Sequence, residues 1–157
     1  MRAQYKSWEF EYDPEKTADL YKSIEMPASL ECGCDPCKNF ALAKATIYPA
    51  EILNLFSKLG IEMEKEVYLV HTARKQPGLH YYSGAHVCFG RILVGNPISQ
   101  KQTLYERVND TYSILIDQTV SLPSSPIFDR YKSELFQLNF FVLVPWVLAH
   151  EPEPTYG

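Results

Sequence analysis

The sequence predicts an α+β domain in which an antiparallel sheet of about five strands carries two or three short helices from the N-terminal half on one face. Three observations lead there. Helix signals crowd between residues 13 and 60, and stretches of period-2 alternation follow one another from residue 66 onward. Those later stretches also do not alternate with helices, as a doubly wound sheet would require. With 157 residues, 46% of them hydrophobic and 13% aromatic, the chain can bury one full core without metals or disulfides as obligatory staples. We therefore expect a single domain over residues 1–150. Residues 151–157, which offer little to a core beyond Tyr156, are expected to form a flexible C-terminal tail.

The first strand is expected where Trp8, Phe10 and Tyr12 alternate with Glu9 and Glu11. Asp13-Pro14 ends it and starts a helix over Glu15 to Ser23, since Asp caps and Pro tolerates the first helical position. Residues 26–34 lack periodicity and read as a loop. Asp35-Pro36 repeats the start signal for a helix from Pro36 to about Lys44. The clearest helix runs from Pro49 to Leu59, where Ile52, Leu55, Phe56 and Leu59 share one face and Gly60 follows as a terminator. Glu66 to Thr72 alternates as a strand. Gln76-Pro77-Gly78 turns the chain into a long strand or strand pair, Leu79 to Val94, with a bulge expected at Gly84 or Gly90 and an end at Asn96-Pro97. Residues 98–110 carry no decisive pattern. Tyr112, Ile114 and Ile116 mark another strand, Ser121 to Pro126 a loop, and Glu134 to Val144 a last strand apolar on both faces, hence central.

A net charge of −4 gives no electrostatic footprint for nucleic acid. Residues 1–37 hold eight acids against four bases, which is the whole of the imbalance. That segment is read as a solvated acidic face, with a basic protein partner as the functional option. No stretch has the length of a signal peptide or a transmembrane span, so a cytoplasmic location and no membrane association are expected. There thiols are free or metal-bound in preference to disulfide-bonded.

A set of features spread over nearly the whole chain resembles a family of small bacterial cytosolic proteins of unassigned function. These are the aromatic strand with Trp8 and Phe10, Lys16-Thr17 and Tyr21, Cys32-x-Cys34-x2-Cys37-x-Asn39-Phe40, Tyr48-Pro49, Leu59-Gly60-Ile61, Glu66, and Val144-Pro145-Trp146-Val147-Leu148. The resemblance implies a single bacterial cytosolic domain and brings no catalytic residues with it.

Three of the four cysteines fall within six residues, and this is the one stretch dense in chemistry. Zinc takes four thiolate or imidazole ligands, and Cys34-x2-Cys37 has the spacing that lets two sulfurs reach one ion. Cys32 would be the third ligand across a tight Gly33 turn, and Cys88 or His86 the fourth, with His80 and His71 as further options. Alternatively, Cys34-Asp35-Pro36-Cys37 at a helix start reads as a redox pair, although no buried strand precedes it and Asp35 opposes thiolate formation. The remaining reading is that the cysteines are small reduced fillers. No Gly-x-Ser-x-Gly, Gly-rich phosphate loop or acid/base pair is recognisable. The expectation is a non-enzymatic binding or accessory domain, the immunity type being one form of it, that meets a protein partner through its tyrosines or acidic N-terminal third. The alternative is a small zinc-binding or thiol-active protein; no cofactor is expected on the first reading, and zinc is the one the alternative would bring.

Overall fold

The computed structural model describes residues 1–95, 105–118, 120, 122 and 125–155. It is an α+β fold built on a seven-stranded antiparallel sheet. The elements run β1 (Arg2–Tyr5), β2 (Trp8–Tyr12), α1 (Pro14–Ser23), α2 (Ala28–Glu31), α3 (Asp35–Ala43), α4 (Ala50–Leu59), β3 (Tyr68–Gln76), β4 (Leu79–Val94), β5 (Glu106–Arg107), β6 (Tyr112–Asp117), α5 (Pro126–Tyr131) and β7 (Leu135–Pro145). The class is the expected one. The count rises from five to seven because two short strands, β1 and β5, carry no alternation that sets them apart from loop.

β4 organises the sheet. One of its edges pairs with β7 from Leu79 to Phe89. The other edge pairs with β3 over Leu79 to Ala85 and then with β2 over Gly90 to Val94. The expected break is thus a change of partner within a continuous strand. Gly90 permits it: its φ of +150° and a would-be Cβ only 2.0 Å from Glu11 O leave no space for a side chain where β2 crosses in. β7 is central, flanked by β4 and β6, as its two apolar faces predict.

Tyr82, His86 and Cys88 of β4, Tyr112 and Ile114 of β6, and Phe136, Leu138, Phe140 and Val142 of β7 lie on one face of the sheet by register. The N-terminal helices bury this face: Phe40 of α3 stacks on Phe140, Phe56 of α4 packs on His86, and Tyr21 of α1 is fully buried. Tyr21 Oη donates to Val87 O and accepts from Val87 N–H, both at 2.9 Å, tying α1 to the sheet backbone. α1 begins as predicted, with Asp13 accepting from Lys16 N–H at 3.0 Å and Pro14 in the first turn. α4 ends before Gly60, also as predicted.

One expected loop contains a helix, and a helix follows directly on another such loop. Residues 28–31 form a single turn, α2, and Pro126 opens α5. The expected end at Asn96-Pro97 and part of the loop Ser121 to Pro126 lie outside the described residues. Among the described residues no helix is long and apolar enough to cross a membrane.

Candidate metal centre

Three sulfurs meet where the chain enters α3. Gly33 takes a φ of +70° with open space around it, so the chain reverses between Cys32 and Cys34. Cys34 caps α3 in an extended conformation, and Cys37 is the third residue of that helix. As a result Cys32 Sγ lies 2.8 Å from Cys34 Sγ and 3.2 Å from Cys37 Sγ, while the Cys34 backbone N–H points at Cys32 Sγ from 3.4 Å. All three sulfurs lie within 4.8 Å of one another. Cys32 and Cys34 are exposed, Cys37 is half-buried, and none is in a disulfide.

The electrostatics separate them. The Cys34 thiol, then the Cys34 amide and the Cys37 thiol, hold Cys32 below the ordinary thiol value of 9.0. Burial, and then the sharing of hydrogen with Cys32 and Cys34, push Cys37 well above it. The sequence pointed to Cys34 and Cys37 as the working pair; in the structure Cys32 is the member common to both close contacts.

Both legs of the cysteine loop are fastened from below. Before it, Glu66 accepts from Ser29 N–H at 2.8 Å, and its backbone carbonyl accepts from Ala28 N–H at 2.9 Å. Lys44 Nζ donates to Ser29 Oγ and to the other oxygen of Glu66, both at 3.2 Å, and to Glu64 O at 2.6 Å. Glu66 is fully buried, so this is an internal ion pair whose remaining hydrogen-bonding capacity is spent on α2 and its approach. After the loop, Asn39 donates to Pro145 O at 3.0 Å and accepts from Val147 N–H at 2.6 Å, and Tyr82 Oη donates to Pro36 O at 2.8 Å. The Asn39-Phe40 motif and the Pro145-Trp146-Val147 segment, over a hundred residues apart, are therefore two halves of one contact that fixes the helix bearing Cys37.

Cys88 and His86, expected as fourth ligands, do not join the three-sulfur group. β4 turns both toward the buried side of the sheet. Cys88 sits 3.5 Å from Thr17 Oγ1 and 3.9 Å from Leu59 O, and burial pushes its thiol up to about 12. His86 is enclosed by Phe56, Tyr48 and Phe140, donates to Met63 O at 3.1 Å, and is held at about 4 by burial. The other two candidate histidines pair with each other: His71 Nε2 and His80 Nδ1 are 2.9 Å apart. His80 Nε2 then meets Glu153 Oε1 at 2.7 Å, which also accepts from Gly78 N–H at 2.6 Å. The segment expected to be loose is thus bonded to the β3–β4 turn at Glu153.

Comparison of the chain with family models, curated proteins and solved structures gave no match. The chemistry of the site carries the functional argument.

Sequence reasoning found the sulfurs and missed Lys44, Glu66 and Asn39 as the residues that position them. A buried asparagine one turn inside a helix was the available signal, because a mid-helix amide needs partners outside the helix. Glu66 sits among Glu62, Glu64 and Lys65 and carried none, and Lys44, the one charge between Asn39 and Ala50, carried only its isolation.

The donor set suits a soft ion. Thiolates select zinc, copper(I) and related metals over magnesium or calcium. Four-coordinate zinc with bonds of about 2.3 Å holds its sulfurs about 3.8 Å apart. The 2.8 and 3.2 Å contacts at Cys32 are tighter, so loading requires the sulfurs to part by roughly 0.5–1 Å. Both contacts involve Cys32, which is exposed and borders Gly33, so the loop can widen without disturbing α3.

Proposed function

We propose that this chain is a small non-enzymatic binding protein whose ligand is a soft metal ion, zinc first, held by Cys32, Cys34 and Cys37. One observation carries the reading: three thiol sulfurs converge at the surface on a loop whose two flanks are clamped by buried polar contacts. Random packing of small reduced cysteines needs neither the convergence nor the clamps. A zinc ion bound by three thiolates keeps its fourth position for water or a donor from another molecule, the arrangement of an exchangeable site and not of a closed structural one.

The measurement is metal analysis of protein purified without chelator. The reading expects about one zinc per chain, lost in Cys34→Ser. A folded, metal-free wild-type protein that also fails to take up added zinc contradicts it.

A second reading, an accessory or immunity-type domain that meets a protein partner, draws on Met26, Leu30 and Leu42, which are 50%, 52% and 64% exposed in the stretch before and along α2 and α3. Tyr5 and Tyr81 are half-buried and open to such a partner. Tyr12, Tyr21, Tyr48, Tyr82 and Tyr112 are buried, and Glu11, Asp19 and Asp35 of the acidic third are already paired with Arg2 and Arg91, Lys22, and Lys38. A pull-down that survives Cys34→Ser but fails in Leu30→Asp would favour this reading.

A further inference from the structure

The odd number of sulfurs has a consequence that metal binding alone does not use. Cys32 is within 3.2 Å of both other sulfurs. One disulfide can form within the trio, and whichever neighbour takes part, a single thiol remains. A three-thiolate site does not survive that change. The two contacts at Cys32 make it the common partner, and its exposure puts it within reach of a small oxidant. Cys88 does not compete, because it is buried against α1 and α4.

We propose that the trio is a redox-gated metal site, in which hydrogen peroxide joins Cys32 to Cys34 or Cys37 and thereby expels the ion. The proposal rests on the metal-binding reading above and adds its regulation. In the first step the Cys32 sulfur attacks one peroxide oxygen. The O–O bond breaks, a sulfenic acid forms on Cys32, and the departing hydroxide takes up a proton from solvent to leave as water, since a metal-bound thiolate has none to give. In the second step the sulfur of Cys34 or Cys37 attacks the Cys32 sulfur. The S–S bond forms, and the S–OH oxygen leaves as hydroxide and takes up a second solvent proton to become another water. Two thiols have lost two electrons, and peroxide has been reduced to two waters. The ion is left with one protein sulfur and dissociates. A dithiol reductant reverses the change by exchange.

The test uses the full chain in a Cys88→Ala background, loaded with zinc and then treated with hydrogen peroxide in the presence of a chromogenic zinc indicator. The expected result is one zinc released for every two thiols lost, a Cys32-containing disulfide in the peptide map, and full zinc rebinding after dithiothreitol. In metal-free protein, Cys34→Ser and Cys37→Ser each retain a pair with Cys32 and form a disulfide within a few-fold of the parent rate. Cys32→Ser slows disulfide formation at least tenfold. Zinc retained through oxidation, release accompanied only by irreversible sulfinic acid, or a Cys34–Cys37 disulfide formed at the parent rate in Cys32→Ser each overturn the proposal. Failure of the metal-binding reading shows earlier and separately, as protein that takes up no zinc at the loading step.

Discussion

The cysteine loop and the ground beneath it are built on opposite principles. Below, Lys44, Glu66, Ser29 and Asn39 are buried, and the buried polar atoms of their contacts are matched to partners at 2.6–3.4 Å. Above, Cys32 and Cys34 face solvent and touch mainly other sulfurs. Burial makes each polar contact costly to break, because an orphaned group or charge has no water to replace its partner. Exposure makes the sulfurs dispensable for folding. Stability and chemistry are therefore assigned to different residues within one small region of the fold, and substitutions should separate them.

The largest effect belongs to the buried pair. Glu66→Ala leaves the Lys44 ammonium without its carboxylate and Ser29 N–H without an acceptor, and should lower unfolding free energy by roughly 3–5 kcal/mol in urea titration. A loss under 1 kcal/mol would mean that the lysine escapes to water and that the clamp is not a clamp. Acid should act next. His86 is neutral and enclosed, with its folded-state value held at about 4 against an ordinary 6.5. The unfolded chain then binds the proton first, so stability is lost as pH falls below about 6.5, by up to about 3 kcal/mol on reaching pH 4. His86→Phe should flatten that part of the stability profile. Asn39→Ala, which orphans Pro145 O and Val147 N–H, should cost about 2–3 kcal/mol and loosen the end of α3 that bears Cys37. Weakened metal binding is expected with it. The smallest effect is expected at the sulfurs themselves: Cys32→Ser or Cys34→Ser should change stability by about 0.5 kcal/mol or less while abolishing metal uptake. A cysteine variant that unfolds the protein would erase the contrast between the two regions.

What the sequence disclosed follows the same division. Elements with a strong local signal were legible: Asp13-Pro14 at the start of α1, the Ile52, Leu55, Phe56 and Leu59 face of α4, the extent of β4, and apolar β7 to within one residue at each end. β1 and β5 were not, because strands of four and two residues are too short for a period to register. Nor was α2, whose single turn is fixed by Glu66, thirty-five residues beyond its last residue. The sulfur trio was visible because its members are close in sequence. Cys88 and His86 lie on the helix-covered face of β4, against Thr17 and Phe56, and which face a strand residue takes is not given by its type. The Asn39 clasp and the Lys44–Glu66 pair are contacts over long sequence separations, decided by packing and not by any local pattern.

The central claim is that Cys32, Cys34 and Cys37 act together as the ligands of one ion. Titration of the reduced protein with cobalt(II), followed through thiolate-to-metal charge-transfer absorption, tests it most directly. The account predicts saturation at one equivalent in the wild type and in Cys88→Ala, and loss of the absorption in Cys32→Ser, Cys34→Ser and Cys37→Ser. An absorption that survives any of those three serine substitutions unchanged, or that disappears in Cys88→Ala, would contradict it.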